Sequence, residues 1–148
     1  MELLIMSLRD AIEYEPTKST YALRIFPAWG NFRKPLRESS LYKVIHKYVF
    51  DAISPPFFNS SSMSSNYVLF TPDLADKIIS DFSVGKQGCE SLLVNCTQGI
   101  NRSPAVALAL NEIFDLGYDS EVLKNKHPKY TKYVYDTLMK AATRGVGR

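Results

Sequence analysis

The sequence is poor in cysteine: Cys89 and Cys96 are the only two among 148 residues. They allow one intrachain bridge at most, which excludes a disulfide scaffold and fits a reducing, cytoplasmic compartment. Histidine is as scarce, with His46 and His127 alone, so no convincing zinc set can be assembled and no metal is expected. Long apolar runs are missing. The longest mostly apolar stretch, Pro104 to Leu110, is far too short to span a bilayer. No charged segment followed by an apolar one opens the chain, so a secretory signal is not expected. Charge of one sign is lacking as well: 18 basic and 15 acidic residues leave a net charge of +3. Residues 120–148 hold seven Lys/Arg against Glu121 and Asp136. Such a segment marks either a phosphate-rich partner or an ordinary solvated helix face.

What remains is ordinary globular material. Hydrophobic residues make up 45% and charged residues 22%, enough to bury a core over one domain. We therefore expect a single domain over 1–148, with about 143–148 as a flexible tail. The serine-rich stretch Asn59 to Asn66 reads as a loop inside that domain, because a boundary there would leave two pieces too small for separate cores.

Strand and helix signals alternate. Leu3–Met6 reads as a buried strand, and Ser7 as the cap of a short helix reaching about Tyr14. Tyr21–Phe26 reads as a second strand, ended by Pro27 and Gly30. Tyr42–Phe50 reads as a third, with Tyr42, Val44, His46, Tyr48 and Phe50 on one face. Thr71-Pro72-Asp73 is a strong helix start, followed by a stripe of Leu74, Ala75, Ile78, Ile79 and Phe82. Ser91–Val94 fits a central strand. Pro104 to Leu116 reads as a helix apolar on most sides, ending at Gly117. Asp119 or Ser120 caps another short helix, and a last one covers about Lys132 to Ala142. The fold class that follows is α/β, with a central, mostly parallel sheet flanked by helices.

The informative segment is SLLVNCTQGINRSPAVALAL, Ser91 to Leu110. Five residues separate Cys96 from Arg102, and Ser103 and Pro104 open the following helix. A loop between a strand end and a helix start leaves main-chain N–H groups unpaired. If Thr97, Gln98, Gly99, Ile100 and Asn101 curl, those groups converge into an anion nest at the positive end of a helix. Gly99 removes the Cβ that would obstruct a left-handed turn. A cysteine at such a nest is favoured as thiolate, which is the nucleophile. Arg102 can grip two phosphate oxygens at once, as a lysine cannot. Ser103 can hydrogen-bond the thiolate and stabilise it as a leaving group. The plain alternative is a buried structural Cys96 beside a surface Arg102.

CTQGINRS resembles the signature loop of cysteine-dependent protein tyrosine phosphatases, specifically the small dual-specificity class, whose form is His-Cys-x2-Gly-x2-Arg-Ser/Thr. The close resemblance covers about 20 residues; a looser one, in the order of elements and the N-terminal Leu-Leu-Ile-Met-Ser-Leu-Arg run, covers most of the chain. One position departs: Asn95 stands where the family has His, so the activation of Cys96 is the open point. The resemblance implies hydrolysis of phosphotyrosine, and of phosphoserine or phosphothreonine, through a phosphocysteine, without metal or cofactor, on a phosphorylated protein partner. It also implies a general acid on a loop ahead of the signature. Asp51 fits, after Val49-Phe50 and before Pro55-Pro56; Asp73 and Asp10 are weaker candidates, and a turn-capping role is the alternative for Asp51. The same loop resembles that of RNA 5′-triphosphatases of the superfamily, for which the partner would be an RNA 5′ end. A third reading is a non-catalytic, phosphate-binding pseudophosphatase. A rhodanese-like sulfur carrier fits less well, because Arg102-Ser103 suits phosphate better than persulfide.

Other residues have quieter readings. Five extended residues span roughly 16 Å, too far for Cys89 to reach Cys96, since a disulfide needs Cα atoms within about 7 Å. Cys89 is therefore expected to be structural and His46 a packed core or edge histidine. Trp29, with Phe26 and Phe32, serves either the core or a substrate rim. Lys124, Lys126, Lys129 and Lys132 either meet a polyanion or form a solvated face.

Overall fold

The computed structural model describes residues 1–30, 33–54 and 67–145. Phe32, Pro55-Pro56, the whole of the serine-rich stretch and residues 146–148 lie outside the described residues. Four strands, β1 (Glu2–Met6), β2 (Thr20–Phe26), β3 (Tyr42–Val49) and β4 (Ser91–Asn95), form one sheet in the order β1-β4-β2-β3. Every pairing is parallel. The described sheet is thus wholly parallel, a step beyond the mixed sheet the sequence allowed. Parallel neighbours need crossovers, and crossovers put helices on the faces. These are α1 (Leu8–Glu13), α2 (Pro72–Gly85), α3 (Arg102–Phe114), α4 (Ser120–Lys126) and α5 (Lys132–Arg144).

Capping chemistry sets the helix starts. Ser7 Oγ accepts the Asp10 N–H at 3.1 Å, and Thr71 Oγ1 accepts the Leu74 N–H at 3.2 Å, with Pro72 in the first turn. Asp119 Oδ1 accepts two N–H groups, from Glu121 and Val122. Each such cap contributes about 1 kcal/mol.

The two faces of the sheet are covered unequally. Tyr21, Leu23 and Ile25 of β2 join Leu92 and Val94 of β4 in the main core, with Ile78 and Phe82 of α2, Ala105 to Ala107 of α3 and Leu138 of α5. Fully burying one of the larger of these side chains contributes roughly 1.5–3 kcal/mol. The opposite face holds a small cluster of Ala11, Ala22, Leu36 and Leu93, under α1. β4 is buried along its whole length, which explains its unbroken apolar run.

Three details differ from the sequence reading. α3 begins at Arg102, two residues before Pro104. Proline is compatible with the third helical position because the first-turn N–H groups have no partner in the helix. It ends at Phe114, where Asp115 turns left-handed at φ 51°, and not at Gly117. Asn111 enforces this early end: its side chain exchanges two hydrogen bonds with the Tyr118 backbone, at 2.9 and 3.1 Å. α5 runs through Arg144, so Thr143 and Arg144, expected in a flexible tail, are helical instead, and Arg144 pairs with Asp76 at 3.7 Å.

The third difference concerns Tyr42. Val44, His46 and Tyr48 do share the inner face of β3, with His46 between the Tyr21 and Tyr48 rings. Tyr42 does not join them. The register slips between Thr20/Tyr42 and Tyr21/Val44, leaving Lys43 unpaired. One extra residue reverses every side chain beyond it, so Tyr42 packs with the α1-side cluster instead. Among the described residues, no helix is long and apolar enough to cross a membrane.

Candidate active site

β4 delivers Cys96 at its C-terminal end, and α3 begins six positions later with Arg102. The connecting loop does curl. Cys96 is 2% exposed and sits at its floor. The Gly99 N–H donates to Cys96 Sγ at 3.2 Å, and the Ser103 hydroxyl lies 3.2 Å from the same sulfur. Thr97, Gln98 and Ile100 stay exposed around the mouth. Burial pushes the Cys96 thiol up. The Ser103 hydroxyl and amide, the Arg102 charge and the Gly99 N–H together outweigh it, and the net shift is below the ordinary thiol value. That is the direction a nucleophile requires.

Gly99 takes φ +75°, and a Cβ there would stand 2.7 Å from Ser7 N and 2.8 Å from Met6 C. The loop therefore rests directly on the β1–α1 junction, where the Leu8 N–H also donates to Thr97 O at 3.0 Å. On its other side Asn101 is clasped by the segment before α5. Its Nδ2 donates to Lys129 O at 2.7 Å, and its carbonyl accepts the Thr131 N–H at 3.0 Å.

Arg102 is 8% exposed and only partly paired. Nη1 donates to Phe50 O at 2.9 Å, and Nη2 to Thr97 Oγ1 at 3.3 Å. Its Nε is buried with no partner. An unpaired buried donor on a cation is costly unless an acceptor arrives to meet it.

Asp51 is 6% exposed and lies next to the residue that Arg102 holds. Its Oδ1 accepts the Ala28 N–H at 3.3 Å, and its Oδ2 accepts the Val68 N–H at 2.7 Å. The carboxylate thus ties three chain segments together beside the loop, a role neither of its two sequence readings included. Asp73 and Asp10 remain first-turn helix residues. Trp29, one residue past Ala28, is 67% exposed, so it does not belong to the core.

Asn95 is fully buried on the opposite face of β4 from Cys96. Its Oδ1 accepts from Arg24 Nε at 3.2 Å, and its Nδ2 donates to Cys96 O at 3.4 Å. The sequence reading passed over Arg24, although a lone arginine inside the apolar run of β2 was the available signal. It also missed the Phe50 carbonyl and the Met6–Leu8 seat, neither of which leaves a mark in the local sequence.

Cys89 is a free thiol at the far end of β4, raised by burial despite Lys43 nearby. Two of the four C-terminal lysines are already paired: Lys132 with Asp136, and Lys124 with Glu112 and Glu121. Among the described residues, no three His, Cys, Asp or Glu side chains gather where they could hold a metal ion. No protein-family model matches the chain, and no curated protein matches it.

Proposed function

We propose that the protein is a cysteine-dependent phosphatase that hydrolyses phosphate monoesters, aryl esters such as phosphotyrosine first, through a phosphocysteine. The observation that carries this reading is the pairing of Arg102 with Cys96. A buried guanidinium Nε without a partner stands in a loop whose floor is a thiol held below its ordinary value. A phosphoryl group supplies the missing acceptor and the electrophile together.

The Cys96 thiolate attacks phosphorus in line with the leaving oxygen, forming S–P as P–O breaks. Arg102 and the loop N–H groups stabilise the equatorial oxygens. Asp51 is the proton donor of this proposal. Each of its oxygens keeps a second lone pair, and Oδ1 has the longer of the two main-chain contacts. Water then attacks phosphorus and passes its proton to Asp51, while the S–P bond breaks. The Ser103 hydroxyl and the Gly99 N–H receive the departing thiolate. Exposed Trp29, attached to the strand end that Asp51 ties down, supports an aromatic ester at the rim.

The test is turnover of p-nitrophenyl phosphate by reduced protein, with intact-mass detection of the phosphoenzyme. We expect Cys96→Ser to lose at least about a thousandfold in rate while still binding phosphate. Tight phosphopeptide binding by the wild type with no turnover would support the non-catalytic reading instead.

A further inference from the structure

A second buried arginine lacks a partner, on the other face of the sheet. Arg24 is 1% exposed in the centre of β2. Its Nε is engaged by Asn95 and its guanidinium lies over the Phe26 ring, 4.9 Å from the centroid. Its Nη2 is buried with no hydrogen-bond partner. No carboxylate among the described residues forms an ion pair with it. The Tyr42 hydroxyl, turned to this face by the β3 bulge, is likewise buried and unpaired. Both residues line one cavity of about 510 Å³, between β2, β3 and the segment 35–39.

We propose that this cavity is a binding site for a small organic monocarboxylate with an apolar body, separate from the Cys96 loop. Arg24 Nη2 and Tyr42 Oη supply N–H and O–H donors for the two carboxylate oxygens. One negative charge neutralises Arg24, and the two buried donors match the two oxygens of a carboxylate, whereas a phosphate would bring a further oxygen into the buried place without a donor to meet it. Leu36, on the inner wall, and Ile45, on the outer face of β3, provide apolar surface for the body of the ligand. At the mouth, Lys47 has no ion-pair partner among the described residues. Arg37 is already held by Glu15 at 2.9 Å, and Glu38 is the only acid among the described residues of the lining. Burial raises Tyr42 above its ordinary value, so the hydroxyl keeps the proton it must donate. Burial also lowers Arg24 from its ordinary value, a penalty that a bound anion would relieve.

Benzoate is the probe. It is titrated into the full chain carrying Cys96→Ser, with the signature loop saturated by inorganic phosphate, so that loss of catalysis cannot affect the result. Methyl resonances of Leu36 and Ile45 and the Arg24 Nε–H resonance are followed by NMR. We expect saturable shifts at these positions, about tenfold weaker binding in Tyr42→Phe, and a smaller, salt-dependent weakening in Lys47→Gln. Arg24 itself is left intact because it also holds Asn95, and Lys47 is exposed, so at least one variant retains the fold. Shifts that do not saturate, that are confined to residues 96–103, or that are unchanged in both variants would overturn the proposal.

Discussion

Arg24 and Asn95 stand directly opposite each other in the parallel β2/β4 pair, joined from Nε to Oδ1 at 3.2 Å. Both are buried. The phosphatase resemblance expects histidine where Asn95 stands. A charged imidazole there would face a guanidinium inside the sheet, with no carboxylate among the described residues paired to either. The asparagine offers an acceptor to Arg24 and a donor to the Cys96 carbonyl. Asparagine at this position is thus matched by Arg24, and the Cys96 thiol is held below its ordinary value by Ser103, Arg102 and Gly99.

Arg102→Lys removes the planar fork and its Nε. A lysine cannot both hold the Phe50 carbonyl and offer two parallel donors to phosphate. We expect kcat/KM on p-nitrophenyl phosphate to fall by roughly 10²–10³, with the far-ultraviolet circular dichroism unchanged. An equal rate in the variant would remove Arg102 from the mechanism.

The thiolate of Cys96 should form at lower pH than that of an ordinary cysteine. Alkylation by iodoacetamide, measured against pH, should show a midpoint below that of a free thiol. Ser103→Ala should move it upward, because one donor to the sulfur is lost. Stability follows the same sign. Since the folded thiol titrates below its unfolded value, ionisation adds stability as pH rises through the window between the two. That contribution is complete above the unfolded value and lost as pH falls through the folded one. Denaturant midpoints of the wild type and Cys96→Ala across that window check it.

The proton-donor role proposed for Asp51 and its bracing of the main chain separate by leaving group. Asp51→Asn should slow phenyl phosphate, whose leaving oxygen needs a proton, more than p-nitrophenyl phosphate, whose leaving group departs readily. The amide also sets one donor against a main-chain N–H, so stability should drop by about 1–3 kcal/mol. A loss of stability with equal effects on both esters would leave Asp51 as a brace alone.

Gly99→Ala strains the backbone and forces a methyl into the Met6–Ser7 main chain. Neither contact can yield cheaply, since both partners are backbone. We expect more than about 2 kcal/mol of destabilisation and a loss of the accelerated alkylation at Cys96. Differential scanning calorimetry and the alkylation rate report the two effects separately.

The strand–loop–helix unit around Cys96 was legible because its parts are contiguous: Cys96, Gly99, Arg102 and Ser103 follow β4 directly and lead into α3. The alternation of strands and helices was legible for the same reason, since each cap acts over three or four residues. Arg24, the Phe50 carbonyl and the Met6–Leu8 seat were not, because strand order brings the first to Asn95 and the other two to the loop. β4 lies between β1 and β2, and no local pattern announces that insertion. Tyr42 was misplaced for a related reason: periodicity assumes an unbroken register, and the bulge at Lys43 interrupts it.

The place of β4 also orders the making of the molecule. Among the described strands, β1 has β4 as its sole neighbour, and β2 has it on one side. A nascent chain that has emerged only through α2 therefore carries two strand edges with nothing between them. Such open edges are where chains stick to one another. The sheet closes only when Ser91–Asn95 arrives, and the very next residue is Cys96. Keystone strand and buried thiol are laid down by the same stretch of chain, so a molecule in which β4 has not docked lacks its Cys96 loop as well as its sheet.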